Sequence, residues 1–483
     1  MNASETKPER DHNATLINIS KKTFIQVTCL LLGLMILAIV LTYVIPKGEF
    51  GTLADGSPDY SAYIPRDDIK GVNIVKGIFA PFLVFASEDG LTLIMLSLFL
   101  LIISAAFQVM NDVGGIRELV GSLSDRFKNR RKLLIVLITL IFMVFGAFLG
   151  LFEEMLTMLP VITALCIMIG LDSFTGFLIC IVACGFGFAS AVTNPFTVLL
   201  ASEIIKTNPM THIWFRLIIF AVMYLLLLGF VFLYIRRISR DPEKSLTFAH
   251  DSELRGEFGG NMSASSEGSN RRVKLTYIIF LLVSLVLIVV CSSLSALRGY
   301  TVVVLTAYFL IFGIVAGVIA SKQPKTVFKS FLNGLRGALP TLVFIALAAS
   351  IKYIFDEGHV MPTIVNQINA LAAGKHVITV ALIIYLVVLV LEFFISSSTA
   401  KAVLVMGLLS VVNVGLSKQM LVLLYTFADG YTNVIFPTSP VLLIALSMIG
   451  VDYFKWVKKS LPLFLVNTAL VVAFILLGIA VGY

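Results

Sequence analysis

Two short polar strings interrupt apolar stretches of the chain. Residues 189–195 read ASAVTNP and residues 428–433 read ADGYTN, with Pro437 close behind. Each fits A-[S/D]-[A/G]-x-T-N inside an apolar run long enough to cross a bilayer. A helix broken at membrane depth leaves orphan N–H and C=O groups, tolerated only where they line a cavity or are buried in protein. The N–H ends suit a substrate carboxylate, while carbonyl and hydroxyl oxygens suit Na⁺. Thr193, Asn194, Pro195, Thr432, Asn433 and Thr438 are therefore candidate substrate- or ion-binding residues. Among them Thr193, Asn194, Thr432 and Asn433 are the candidate Na⁺ ligands. A single string of this kind reads equally as the cap of a kinked helix. Two at corresponding positions turn the balance towards binding.

Two more interruptions carry chemistry. The first, residues 150–154 (GLFEE), brings Glu153 and Glu154 into an apolar run. Carboxylates there are costly and functional by default, and facing substrate they favour a cationic group. A returning helical arm would equally favour both acids in its first turn. The second interruption is Ser396, Ser397, Ser398 and Thr399. Its hydroxyls can contact a cation or a carboxylate, and they can also cap the arm that starts at Ala400. Asp429, at the position of Ser190 in the other string, is a candidate cation ligand, proton carrier or counter-ion to Lys352. Lys401 either meets an anionic substrate or fits poorly at a helix start, and Lys352 near a span end snorkels. Glu203, Arg216 and Glu392 lie nearer the ends of apolar runs and read as interface anchors.

The elements that must position these residues follow from composition. Of 483 residues, 58% are hydrophobic and 13% charged, against about a quarter charged in soluble proteins. The missing charge means lipid-facing surface. The net charge of +8 does not indicate nucleic acid, since no soluble domain exists to carry it. Basic residues instead cluster at 117–132, 236–240, 271–274, 322–336 and 455–459, the positive-inside pattern. All five cysteines fall in apolar segments and read as small core residues, with neither a disulfide framework nor a metal site implied. Residues 1–20 read as a cytoplasmic tail and not a signal peptide. The Asn2 and Asn13 glycosylation patterns in it are chance matches.

Spans are expected at 24–45, 91–110, 214–234, 275–294, 302–320, 339–355 and 461–482, with an interfacial amphipathic helix at 328–337. Interrupted runs occupy 133–170, 174–205, 377–415 and 420–450. A hydrophilic linker, 236–272, separates a first repeat (21–235) from a second (273–483). DVG at 112–114 recurs as DEG at 356–358, and Glu154 and Ser398 each follow 40 residues after the glycine. The expected fold is an all-α polytopic membrane protein of two inverted-topology repeats. Each repeat carries a re-entrant helical hairpin and a broken transmembrane helix. Reading the interrupted runs as pairs of full spans leaves the basic loops on the same side. Arms of about 17 apolar residues, short for a bilayer, favour re-entry.

Residues 150–155 (GLFEEM) and 185–197 (GFGFASAVTNPFT), together with 45–50 (IPKGEF), resemble the YfcC-type branch of the C4-dicarboxylate anaerobic carrier family. The resemblance covers nearly the whole chain and is weakest over the tail and linker. The family is similar to the wider ion-transporter superfamily. That likeness implies a homodimer in which a mobile part carries substrate past a scaffold by an elevator motion. Both hairpins and both T-N helices would be mobile, and spans 24–45, 214–234, 275–294, 302–320 and 461–482 the scaffold. The superfamily's Ser-Asn-Thr tips are replaced here by Glu-Glu and Ser-Ser-Ser-Thr, a departure at the place of the Na⁺ site.

The expected function is a secondary active transporter or exchanger of a small charged metabolite in the cytoplasmic membrane. Its N-terminus is cytoplasmic, Na⁺ or H⁺ is the coupling ion if there is one, and no other cofactor is implied. The acidic tip and Asp429 suit a basic amino acid of the arginine/ornithine kind, with the hydroxyl tip taking its carboxylate. A C4-dicarboxylate, the alternative, would want cations, and only Lys352 and Lys401 are available. A membrane enzyme would need paired acids or a His/Cys constellation at the interface, and His212 and His359 stand isolated. A channel would show a continuous polar pore.

Overall fold

The computed structural model describes residues 21–53, 58–127, 130–252, 270–298, 300–372, 374–395, 397–411 and 415–483. The 1–20 tail with both glycosylation patterns, Ser396 and linker residues 253–269 lie outside the described residues. Long apolar stretches become helices because lipid offers no partner for the backbone, so every peptide group must bond within its own segment. Nine helices among the described residues are long and apolar enough to cross a membrane. The protein is a multi-pass membrane protein.

In chain order the helices of nine or more residues are α1 (Lys21–Val44), α2 (Gly90–Asp112), α3 (Gly115–Phe127), α4 (Arg131–Val144), α5 (Leu159–Met168), α6 (Ser173–Ala189), α7 (Pro195–Ile204) and α8 (Ile213–Arg240). They continue as α9 (Arg271–Ser293), α10 (Thr301–Ser321), α11 (Pro324–Glu357), α12 (Met361–Ala372), α13 (Val377–Phe394) and α14 (Ser398–Val411). The last three are α15 (Lys418–Asp429), α16 (Pro440–Met448) and α17 (Tyr453–Ala480). The four interrupted runs are thus the pairs α4/α5, α6/α7, α13/α14 and α15/α16. With 10 residues in α5 and 9 in α16, these pieces extend about 14–15 Å, half of the ~30 Å hydrocarbon core. Proline opens three of the second pieces, at Pro160, Pro195 and Pro440, where its missing N–H costs nothing.

Four expectations are corrected. The all-α reading misses an antiparallel pair, β1 (Gly48–Thr52) with β2 (Pro58–Pro65). This ribbon is held from outside: Tyr60 donates to the Val403 carbonyl at 3.1 Å, and the Tyr63 and Thr363 hydroxyls bond at 2.8 Å. Residues 328–337 are no separate interfacial helix but part of the 34-residue α11, which runs through Pro340. One side of this stretch meets protein, while Phe328 and Leu332 on the other side stay exposed. Val327 and Phe331 pack with Ala105 and Val109 of α2, and Ser104 Oγ donates to the Gly334 carbonyl at 3.0 Å. A Cβ on Gly334 would lie 2.6 Å from Ala105 Cα, so glycine is what lets the two helices touch.

The linker does not simply leave the protein at Arg236. α8 continues to Arg240, and residues 245–251 fold back onto the start of α6. Asp172, which caps α6, accepts from Tyr234 at 2.5 Å and Ser245 at 2.6 Å. Asp251 accepts from the Ser173 N–H at 2.9 Å and from Thr247 at 2.6 Å. Burial pushes the Asp251 carboxyl up, and the Ser173 and Thr247 donors pull against it. Finally, Cys29 is exposed on α1, whereas the other four cysteines are buried.

Candidate functional site

The first break is built from α4, α5 and the first T-N string. Beyond α4 the chain forms a widened turn, Phe145–Leu149, that closes at Gly150 in the left-handed region, φ +68°. Such a turn strands carbonyls, and buried carbonyls need partners. The T-N string supplies them. Asn194 Nδ2 donates to the Gly146 carbonyl at 3.0 Å, while its Oδ1 accepts from the Phe196 N–H at 2.9 Å and caps α7. The Val192 and Thr193 N–H groups donate to the Ala147 carbonyl at 2.9 and 3.2 Å, and Thr193 Oγ1 to Phe148 at 3.3 Å. Asn194 is fully buried, so one side chain serves as cap and clamp together, with Pro195 opening α7 behind it. Replacing Asn194 by Ala is expected to cost about 1–3 kcal/mol. Asn194→Ser, which keeps a cap and loses the clamp, should melt between the two.

Glu153 and Glu154 follow, in a short helical turn over Glu153–Thr157. Glu154 is buried and Glu153 half-buried. Among the described residues, no Lys, Arg or His comes within ion-pair distance of either. Phe152 before them stacks edge-on against Phe188 of α6, ring centroids 6.4 Å apart.

The second T-N string lies where α15 meets α6. A Cβ on Gly430 would sit 1.9 Å from the Ala189 nitrogen and 2.2 Å from its Cα. The two broken helices therefore touch backbone to backbone at their breaks. Thr432 Oγ1 donates to the Ala428 and Asp429 carbonyls, both at 2.9 Å, and Asn433 Nδ2 to Asp429 at 3.0 Å. Thr438 is buried beside Ser439, whose hydroxyl caps α16.

The second tip joins α13 to α14 and is drawn onto the same break. Ser398 Oγ donates to Asp429 Oδ2 at 2.7 Å. Ser397, exposed, caps the arm through the Ala400 N–H, and Thr399 is also exposed. Lys401 turns back from α14 to lie between two carboxylates. It pairs with Glu392 and with Asp429 Oδ1 at 2.5 Å, and also donates to the Ile395 carbonyl at 3.3 Å. The exposures of Glu392, Lys401 and Asp429 are 1%, 0% and 0%.

Three readings are thereby corrected. Asp429 is countered by Lys401 and not by Lys352, which pairs with Asp89 and, at 3.7 Å, with Asp356. Glu392 is no interface anchor. Arg216 is likewise buried, with its guanidinium on the Pro209 carbonyl.

The family model DcuC, described as C4-dicarboxylate anaerobic carrier, matches residues 24–482. The chain belongs to this carrier family. A protein of Escherichia coli (strain K12), named "Putative basic amino acid antiporter YfcC", is 26% identical over 404 residues, covering 80% of this chain and 78% of that protein. An uncharacterized protein of Haemophilus influenzae is 21% identical over 513 residues, 96% of this chain and 98% of that one. The Alcanivorax borkumensis YdaH transporter structure aligns over 95% of this chain and 99% of its own, at 15% identity and a TM-score of 0.44.

In this carrier the charge balance of the breaks is one-sided. Glu153, Glu154, Glu392 and Asp429 are four carboxylates, against the single ammonium of Lys401. Glu392, read from sequence as an interface anchor, and Lys401, read as an anionic-substrate contact or a poor helix start, are instead members of one buried cluster. Their signal was opposite charge on either side of the hydroxyl run, with Asp429 as the third member.

Proposed function

We propose that this carrier exchanges basic amino acids of the arginine/ornithine class across the cytoplasmic membrane. The observation that carries the reading is the uncountered pair Glu153 and Glu154 at the first tip. Buried carboxylates without a cation attract one. The substrate's guanidinium or ammonium supplies that charge, and its carboxylate is taken by the Ser396–Thr399 hydroxyls. A C4-dicarboxylate would need free cations instead. Lys352 and Lys401 are the lysines at hand, and each is already countered by two carboxylates. The name of the Escherichia coli relative supports the same class of substrate.

The transport step in this proposal is an elevator. The two halves, 21–235 and 273–483, are inverted repeats, with the N-terminus in the cytoplasm and the segment between α8 and α9 on the same side. The mobile part holds both hairpins and both T-N helices. α1, α8, α9, α10 and α17 form the scaffold of a homodimer. Support comes from the contact at Gly430 and from the bonds that tie each tip to a T-N break, which make the four breaks one packed unit.

The test is charge removal at the first tip. Glu153→Gln and Glu154→Gln should each lower arginine exchange by about 10–100-fold, the loss of a charge-assisted hydrogen bond of about 1.5–3 kcal/mol. The melting temperature should stay close to that of the parent. Undiminished arginine exchange by the double variant would remove these acids from the site.

A further inference from the structure

The Glu392–Lys401–Asp429 cluster does more than balance charge. Three oxygen donors converge on the Lys401 ammonium: the Glu392 carboxylate, Asp429 Oδ1 at 2.5 Å and the Ile395 carbonyl at 3.3 Å. The carbonyl belongs to the residue directly after α13, at the negative end of that helix. The other oxygen of Asp429 is taken by Ser398. Two carboxylates and a helix-end carbonyl, all closed from solvent, form a cage for one monovalent cation. Here the cation is covalently attached, through a lysine rooted in the first turn of α14.

We infer that the Lys401 ammonium is a built-in cation that occupies the place of a coupling Na⁺, so that exchange by this carrier does not require Na⁺. Two buried carboxylates that share a cage are strongly destabilising without a positive partner. A free ion would fill such a cage only when bound, and would link its occupancy to transport. A tethered ammonium fills it permanently. The hairpin tip, through Ile395 and Ser398, and the α15 break, through Asp429, are then held together in every state of the cycle. The inference rests on the reading of the chain as a carrier but not on the identity of its substrate.

The experiment compares NaCl, KCl and choline chloride at equal ionic strength, and reads two quantities. The first is the melting temperature of the purified protein without substrate, and the second is exchange in proteoliposomes. The unmodified carrier should give the same values in all three salts. Lys401→Ala should melt lower in choline and lose exchange by about 10-fold or more, and NaCl should restore both in part by supplying the missing cation. If Lys401→Ala does not yield folded protein, Glu392→Gln with Lys401→Ala, which removes one negative charge along with the positive one, is read the same way.

Na⁺-stimulated exchange or Na⁺-raised melting in the unmodified carrier would overturn the inference. So would a folded Lys401 variant that behaves alike in all three salts, since that outcome makes the lysine a structural ion-pair partner only. The melting measurement needs no substrate. An error about arginine would therefore leave it untouched and appear only as absent arginine exchange.

Discussion

Asp429→Asn is expected to lower stability by about 3–5 kcal/mol, the usual consequence of breaking a fully buried ion pair from one side. The substitution leaves Lys401 with Glu392 alone and weakens the bond from Ser398. It also loosens the second tip from the α15 break, so arginine exchange should fall below detection. Melting temperature and counterflow on the same preparation measure both effects. The contrast is Lys352→Met, which breaks pairs with Asp89 and Asp356 at side chains 21–48% exposed. Water and screening reduce such pairs to about 0–1 kcal/mol. Equal, small effects of the two substitutions would mean that the buried cluster does not hold the tip.

Gly430→Ala carries the second large effect. The added methyl would land 1.9 Å from a backbone nitrogen of α6. Backbone cannot rotate aside as a side chain can, so the two broken helices must separate. Overpacking of this kind costs about 3 kcal/mol or more, and the variant should be recovered poorly folded and inactive. Gly33→Ala is the control, because a Cβ there meets nothing within 4 Å on α1. It should express, melt and transport like the parent. A functional Gly430→Ala carrier would show that the helices do not cross at this glycine.

Much of this architecture is legible in the sequence because lipid imposes a simple requirement. Some 20 apolar residues in a row have little choice but helix, and the long spans fall where hydropathy puts them. The breaks are legible for the converse reason: SSST and GLFEE are too polar to be buried in lipid without a purpose. What fails is everything that depends on partners far along the chain. The amphipathic face of 328–337 is the same whether it meets headgroups or α2, and only packing at Gly334 decides. The β1–β2 ribbon is anchored by Thr363 and Val403, 300 and 343 residues away, beyond any local pattern. Glu392 and Lys401 each resemble an end-of-span residue until the hairpin folds back and brings them onto Asp429. Asn194 shows the subtlest case, since the same residue type serves as cap, clamp or ligand, and geometry alone assigns its amide to Gly146.

The central claim is that the excess negative charge at the breaks selects a cationic substrate. Counterflow in proteoliposomes tests it most directly, with vesicles loaded with unlabelled arginine or unlabelled succinate and then given trace labelled substrate. Labelled arginine should accumulate in arginine-loaded vesicles, and labelled succinate should enter neither set. Accumulation of succinate in succinate-loaded vesicles, with arginine excluded, would contradict the account and make the carrier a dicarboxylate exchanger.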